Sequence, residues 1–288
     1  MTTVASTTKS ATAHAGAPRP APGNLWLSSL TLWQREMVRF LRQRNRIIGA
    51  MATPLVFWLL LGSGLNRSFA LSRTVQAPPD TPSPTAQVGY LQYFYPGTVV
   101  LILLFTAIFS TISVIEDRRE GFLQGVLVAP IPRSAIVLGK VLGGASIATL
   151  QGVLFLALWP LVGPWPGLAA ILAAIAVMFV LAMGLTALGL CLAWPMDSTA
   201  AFHAVMNLFL MPMWFLSGAV FPLDTAPAWM RAIMWANPLT YGQAAFSALL
   251  GGSRVASASV SLPVALPLTL ASTALAIALA TIVVSRHR

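Results

Sequence analysis

The densest group of ionisable side chains in the chain is the run Glu116, Asp117, Arg118, Arg119 and Glu120, followed by Gly121 and further on by Arg133. Carboxylates interleaved with guanidinium groups neutralise one another, so the run suits ion pairing with a polar partner better than metal binding or proton transfer. The stretch 116–133 reads EDRREGFLQGVLVAPIPR: a charged first turn, then Phe122, Leu123, Val126 and Leu127 on one face, then Pro130 and Pro132 as terminators. A short surface helix that meets a soluble partner and an ordinary polar loop both satisfy this pattern.

A second basic series, Arg35, Arg39, Arg42 and Arg46, recurs at helical spacing opposite Leu30, Trp33, Met37, Phe40 and Leu41. That division predicts a helix lying in the membrane surface with its apolar side down, the simpler alternative being a solvated positive flank of the first span. His203 and Asn207, four apart, share a helix face. They are candidates for lining a pathway or for bonding to a neighbouring helix, and packing is the commoner use of such residues.

Several chemistries are excluded. No G-x-x-x-x-G-K-[ST] run occurs; Gly139-Lys140 is followed by Val141, so the chain has no phosphate-cradling loop. There is no H-E-x-x-H, and Ser217-Gly218 lacks the preceding glycine of a nucleophile turn. The single cysteine, Cys191, permits neither an intrachain disulfide nor a cysteine cluster. No catalytic residue and no metal site is therefore assigned. All seven acidic residues fall outside the expected spans or at their ends, which argues against ion coupling through a buried carboxylate.

The elements that must hold these residues are membrane-spanning. Only 8% of the residues are charged, against about 25% in an average soluble domain, leaving too little polar surface for a soluble fold. Apolar stretches of bilayer length predict an all-helical polytopic membrane protein with six transmembrane helices at about 47–65, 93–115, 134–162, 167–194, 201–221 and 262–285. Residues 1–24, rich in Ala, Thr, Ser and Pro, read as a disordered tail rather than a signal peptide, and 25–288 as the transmembrane domain. Between the last two spans, Pro227 can open one short helix, and Asn237-Pro238 can cap and open a second that Gly251 and Gly252 would close.

The net charge of +10 arises from short juxtamembrane basic runs, which is a topology signal and not a nucleic-acid surface. With the N-terminus inside, thirteen Lys and Arg fall on the cytoplasmic side and four, Arg67, Arg73, Arg231 and Arg254, outside. Both termini are therefore expected in the cytoplasm and the chain in the cell membrane.

The run 116–121 with Leu127, Pro130, Arg133 and Gly139-Lys140 resembles the cytoplasmic loop of ABC-2 type transporter permeases. The late residues Phe215, Leu216, Ser217, Gly218, Phe221, Pro222 and 237–241 are similar to the outer region of the same family. The layout from about residue 30 to the end is similar to the branch containing nodulation-factor and daunorubicin-type exporters. The resemblance implies a membrane permease subunit of an ATP-binding cassette exporter moving an amphipathic substrate such as a drug, lipid or lipid-linked glycan, rather than a membrane-embedded enzyme acting on a lipid. It also implies that 116–133 docks on a separate ATPase subunit carrying the ATP and Mg, that 35–46 belongs to an interfacial connecting helix, and that the helices before the last span are re-entrant on the outer side. Six spans enclose little room, so a second permease copy or a homologous partner is expected, along with membrane lipid.

Overall fold

A computed structural model of the chain describes residues 24–42, 44–64, 90–251 and 260–286, and every regular element among them is helical. The order is α1 (Leu25–Arg42), α2 (Arg44–Gly64), α3 (Tyr90–Ser110), α4 (Ile112–Arg119), α5 (Phe122–Val128), α6 (Arg133–Leu156), α7 (Leu168–Ala193), α8 (Thr199–Trp214), α9 (Ala228–Ala236), α10 (Pro238–Gly251) and α11 (Leu262–Arg286). The loop expected between the first two spans, Gly252 and the expected tail apart from Asn24 lie outside the described residues.

Five segments are long and apolar enough to cross a bilayer: Tyr90–Arg119, Arg133–Leu161, Leu168–Ala193, Thr199–Ala219 and Leu262–Arg286. Where the sequence predicts a sixth span at 47–65, the apolar helix counted is the shorter Pro54–Gly64. Among the described residues the count is five.

The long helix α3 is the axis of the bundle. Phe94, Tyr95, Val99, Val100, Ile102, Leu103 and Leu104 have no exposed surface, and the helix packs against α2, α6, α7 and α10. Such all-round apolarity is what a helix enclosed by other helices requires. By contrast α8 and α11 keep apolar side chains such as Leu208, Phe209, Leu270 and Leu275 on the outside, as expected of surfaces that meet lipid instead of water.

The second span was expected to stop before Glu116, but the helix steps past an irregular residue, Thr111, and runs on through Arg119. The charged run is thus helical, with Arg118 and Arg119 in the last turn, where cations complement the helix dipole. Gly121 ends it in the left-handed conformation (φ 77°) that a side chain would oppose, and α5 starts directly from it. On α5 the expected apolar face is divided: Leu123 is buried and Val126 half-buried, whereas Phe122 and Leu127 are exposed, as is Val128 beside them.

Helix α1 packs on the bundle through a face that shares only Phe40 with the apolar series of its sequence. Its inner face is Ser29, Leu32, Glu36 and Phe40, while Leu30 and Leu41 are exposed. The reason is the partner surface: Gly139 and Gly143 on α6 let the two backbones approach. A Cβ added at Gly139 would lie 2.6 Å from Leu32 Cβ and 3.0 Å from the Ser29 carbonyl oxygen. Gly139→Ala should therefore overpack the seam and destabilise the protein by about 1–3 kcal/mol, lowering the melting temperature of the detergent-solubilised chain; unchanged melting would contradict this packing.

At the opposite end of the bundle, α8 finishes in a π turn, Phe215–Ala219, with Gly218 at φ 85°. Tyr93 donates its hydroxyl to the Gly218 carbonyl at 2.9 Å, and the Trp214 indole donates to the Gly97 carbonyl at 2.9 Å. The two short helices α9 and α10 form where Pro227 and Asn237-Pro238 predict them, and Asn237 joins them: its side-chain oxygen accepts from Leu239 N at 3.0 Å while its amide donates to the Met213 carbonyl at 2.6 Å.

Candidate functional site

At the charged end, three helices bring their ionisable groups to one point. Lys140, in the second turn of α6, donates to Glu36 Oε1 at 2.6 Å, to Asp117 Oδ2 at 2.5 Å and to Ser113 Oγ at 3.0 Å. Arg35 forks onto both Asp117 oxygens at 2.7 and 3.1 Å, and Arg39 spans Asp117 Oδ1 at 3.0 Å and Glu116 Oε2 at 2.7 Å. The cations Arg35, Arg39 and Lys140 balance the anions Glu36, Glu116 and Asp117. Burial works against the Arg35 charge, but the Asp117, Glu36 and Glu120 carboxylates outweigh it and hold its pKa above the ordinary value.

This arrangement corrects two expectations. Two carboxylates are buried after all: Asp117 has no exposed surface and Glu36 has 6%. They tolerate burial because each is paired at hydrogen-bond distance. Arg35 and Arg39 do not point away from the protein; they clamp α1 to α4, and Arg35 also stacks over the Phe122 ring at 3.7 Å. Arg42 is exposed, and the side chain of Arg46 lies outside the described residues.

Glu120 reaches Arg39 at 3.9 Å, whereas the arginines of the segment go elsewhere. Arg118 donates to the carbonyl oxygens of Trp194 and Met196 and to Asp197 Oδ1 at 2.9 Å, and Arg119 Nε donates to the Asp197 carbonyl at 3.0 Å. Arg133 donates to the carbonyls of Val284 at 3.3 Å and Ser285 at 2.7 Å, closing the C-terminal turn of α11. Glu120, its side chain 62% exposed, and the apolar tip formed by Phe122, Leu127 and Val128 are what this segment offers outward.

A groove of about 710 Å³ opens beside the ionic cluster. Its charged mouth is formed by Glu36, Arg39 and Glu116, and its wall by Phe57, Phe105, Phe109 and Met211, with Thr106, Ser110, Ser113, Thr199 and His203 as polar points. His203 lies 4.9 Å from the Phe109 ring. Asn207 is exposed on the same helix and is not among the lining residues. Behind the wall, Thr106 donates its hydroxyl to Gln151 Oε1, and the buried Gln151 Nε2 has no hydrogen-bond partner among the described residues.

Three participants, Lys140, Glu36 and Asp197, lie outside the candidate site residues, although Lys140 belongs to the Gly139-Lys140 pair of the loop pattern. Lys140 had a usable signal, since a lone lysine inside an apolar segment needs a counter-charge. Glu36 and Asp197 had none, because only the fold brings them to their partners. Among the described residues no group of His, Cys, Asp and Glu could hold a metal ion.

The family model described as ABC-2 type transporter matches residues 28–250. The chain is 28% identical over 213 residues to the putative transport permease ycf38 of Cyanophora paradoxa, covering 73% of this chain and 69% of that protein. It is 24% identical over 237 residues, 82% of this chain and 79% of the relative, to the daunorubicin resistance ABC transporter permease protein DrrB1 of Streptomyces coeruleorubidus. With the probable multidrug ABC transporter permease YbhR of Escherichia coli K12 it shares 29% identity over 160 residues, 54% of this chain but only 42% of that protein.

Proposed function

The chain belongs to the ABC-2 type transporter family, and from that premise we propose that it is the permease subunit of an exporter driven by a separate ATPase chain, which binds the ATP and Mg. The cargo is an amphipathic molecule, a drug, lipid or lipid-linked glycan. The observation that carries this reading is the groove: a charged mouth of Glu36, Arg39 and Glu116 continues into an aromatic wall of Phe57, Phe105 and Phe109. Such a surface suits a molecule with one polar and one apolar end. One side of the groove, helix α8, is largely unburied, with His203 on the groove and Asn207 exposed beside it. Polar groups of this kind inside a bilayer favour a protein neighbour over lipid, which supports a second permease copy completing the pathway. The charged end faces the cytoplasm, in keeping with the Lys and Arg bias, α2 is the sixth span, and α9 and α10 are re-entrant helices on the outer side.

On this reading α5 is the docking element. An apolar tip beside an exposed carboxylate, Val128 at 87% exposure with Leu127 and Glu120, fits an apolar socket with a basic rim on the ATPase. The test is co-purification of the ATPase encoded beside this chain. Leu127→Asp with Val128→Asp should abolish capture of the ATPase while membrane insertion persists, and the permease alone should hydrolyse no ATP. Unimpaired capture by the double variant, or ATP turnover by the isolated chain, would overturn the assignment.

A further inference from the structure

We infer that Thr106 and Gln151 form a hydrogen-bonding subsite of the groove, which takes a carbonyl-type acceptor oxygen carried in the chain of a long amphiphile, about 15 Å from its polar head. The inference rests on the groove being the cargo route and adds a chemical requirement on what passes along it.

A hydroxyl on an apolar helix commonly satisfies itself on its own backbone, and Thr98, Thr186 and Thr269 do so, each donating to the carbonyl four residues earlier. Thr106 departs from this habit. Its hydroxyl leaves α3 and donates across the helix seam to Gln151 Oε1 on α6. The pair stands at the groove, because Thr106 is on the lining and so is Ile147, one turn before Gln151 on the same face of α6. Ser110 and Ser113, the next polar residues along that wall, are already engaged with the Ala107 carbonyl and with Lys140.

Polar hydrogens outnumber acceptors in this pair. A threonine hydroxyl brings one and a glutamine amide two, and the bond between them uses one whichever way the amide is turned. Two are left over. Gln151 is 1% exposed, and its Nε2 has no acceptor among the described residues. Helix packing accounts for the bond between α3 and α6 but not for this surplus, since an unpaired buried donor is a stability loss that an apolar side chain of the same shape would avoid. An oxygen entering the groove supplies the missing acceptor, and the apolar wall of Leu101, Phe105 and Phe109 strengthens a hydrogen bond made beside it. Thr106 lies ten residues from Glu116 at the charged mouth, about 15 Å along the helices at their usual rise per residue. The oxygen is therefore set well back from a head group held at the mouth, in a part of the cargo that otherwise faces aromatic rings.

The test uses the complex of the full chain with its ATPase in lipid nanodiscs and three probes: hexadecylphosphocholine, the same lipid with a mid-chain ketone, and the same lipid with a ketone beside the head group. Each is titrated into loaded and empty nanodiscs, so that partition into lipid is subtracted. The parent should bind the mid-chain ketone about tenfold more tightly than the plain chain, the discrimination one hydrogen bond provides, and the head-proximal ketone should gain nothing. Thr106→Val with Gln151→Met, which removes the polar hydrogens at similar volume, should bind all three alike, whereas Thr106→Ser should keep the preference. If the double variant fails to assemble, Gln151→Met alone should show most of the loss, and a full preference there overturns the inference. Equal binding of the three probes by the parent overturns it too, giving the surplus hydrogens to an ordered water, as does an equal gain for the head-proximal ketone or a preference that survives in the double variant. Met211→Trp, which narrows the groove, should weaken every probe; unaltered binding of all three would instead refute the groove as the cargo route.

Discussion

Replacing Lys140 with Met is expected to destabilise the protein by about 3–5 kcal/mol, the cost of leaving a buried charge without its partner. Lys140 Nζ is the sole described donor to Glu36 among the side-chain hydrogen bonds and one of three on Asp117. Without it two carboxylates remain in a site that Arg35 and Arg39 reach from one side only. Thermal unfolding of the detergent-solubilised chain would register this as a large fall in melting temperature. Adding Asp117→Asn should recover part of the loss, because the second change removes one of the stranded charges, so the double variant should be less impaired than the two single effects summed. A Lys140→Met protein as stable as the parent would show that the cluster is hydrated and its pairing incidental.

The second large effect is on transport. Met211 stands on the groove wall in the half of α8 farther from the charged mouth, and it is only partly buried. Met211→Trp should fill the passage without straining the bundle core. Export is expected to fall at least ~10-fold, corresponding to about 1.4 kcal/mol in the limiting step, with ATPase capture and basal ATP hydrolysis retained. Resistance of expressing cells to a panel of amphipathic drugs, together with hydrolysis by the purified complex, would measure the two separately. Parental resistance in the Met211→Trp strain would rule the groove out as the cargo route.

The helices were largely legible because bilayer-length apolar runs and their punctuation are local signals. Arg133 opening α6, Gly167 preceding α7, Ser198 capping α8 and Pro227 opening α9 all lie within three residues of the expected boundaries. The charged run was legible as a group but not in its allegiances. Spacing says that Asp117 and Arg118 are neighbours; it does not say that one turns inward to α6 and the other to a turn nearly eighty residues away. The packing of α1 was hidden for a similar reason. Its apolar pattern marks Leu30 and Leu41 as a side for the membrane, and they are exposed; that Leu32 and Glu36 meet the smooth surface at Gly139 and Gly143 is set by the partner helix. The irregular step at Thr111 carries no proline or glycine, and nothing in its neighbourhood marks it.

The electroneutral cluster beneath α1 has a consequence for how the protein responds to ionic strength. Mobile ions screen charges they can approach, over a Debye length of about 8 Å at physiological salt, and buried pairs far less. Asp117, Lys140 and Glu36 are closed off from solvent, so the attachment of α1 should withstand concentrated salt. Contacts made through the exposed Glu120 carboxylate have no such shelter. A high-salt wash of membranes should accordingly weaken the polar rim of the docked ATPase while leaving the connecting helix seated on the permease.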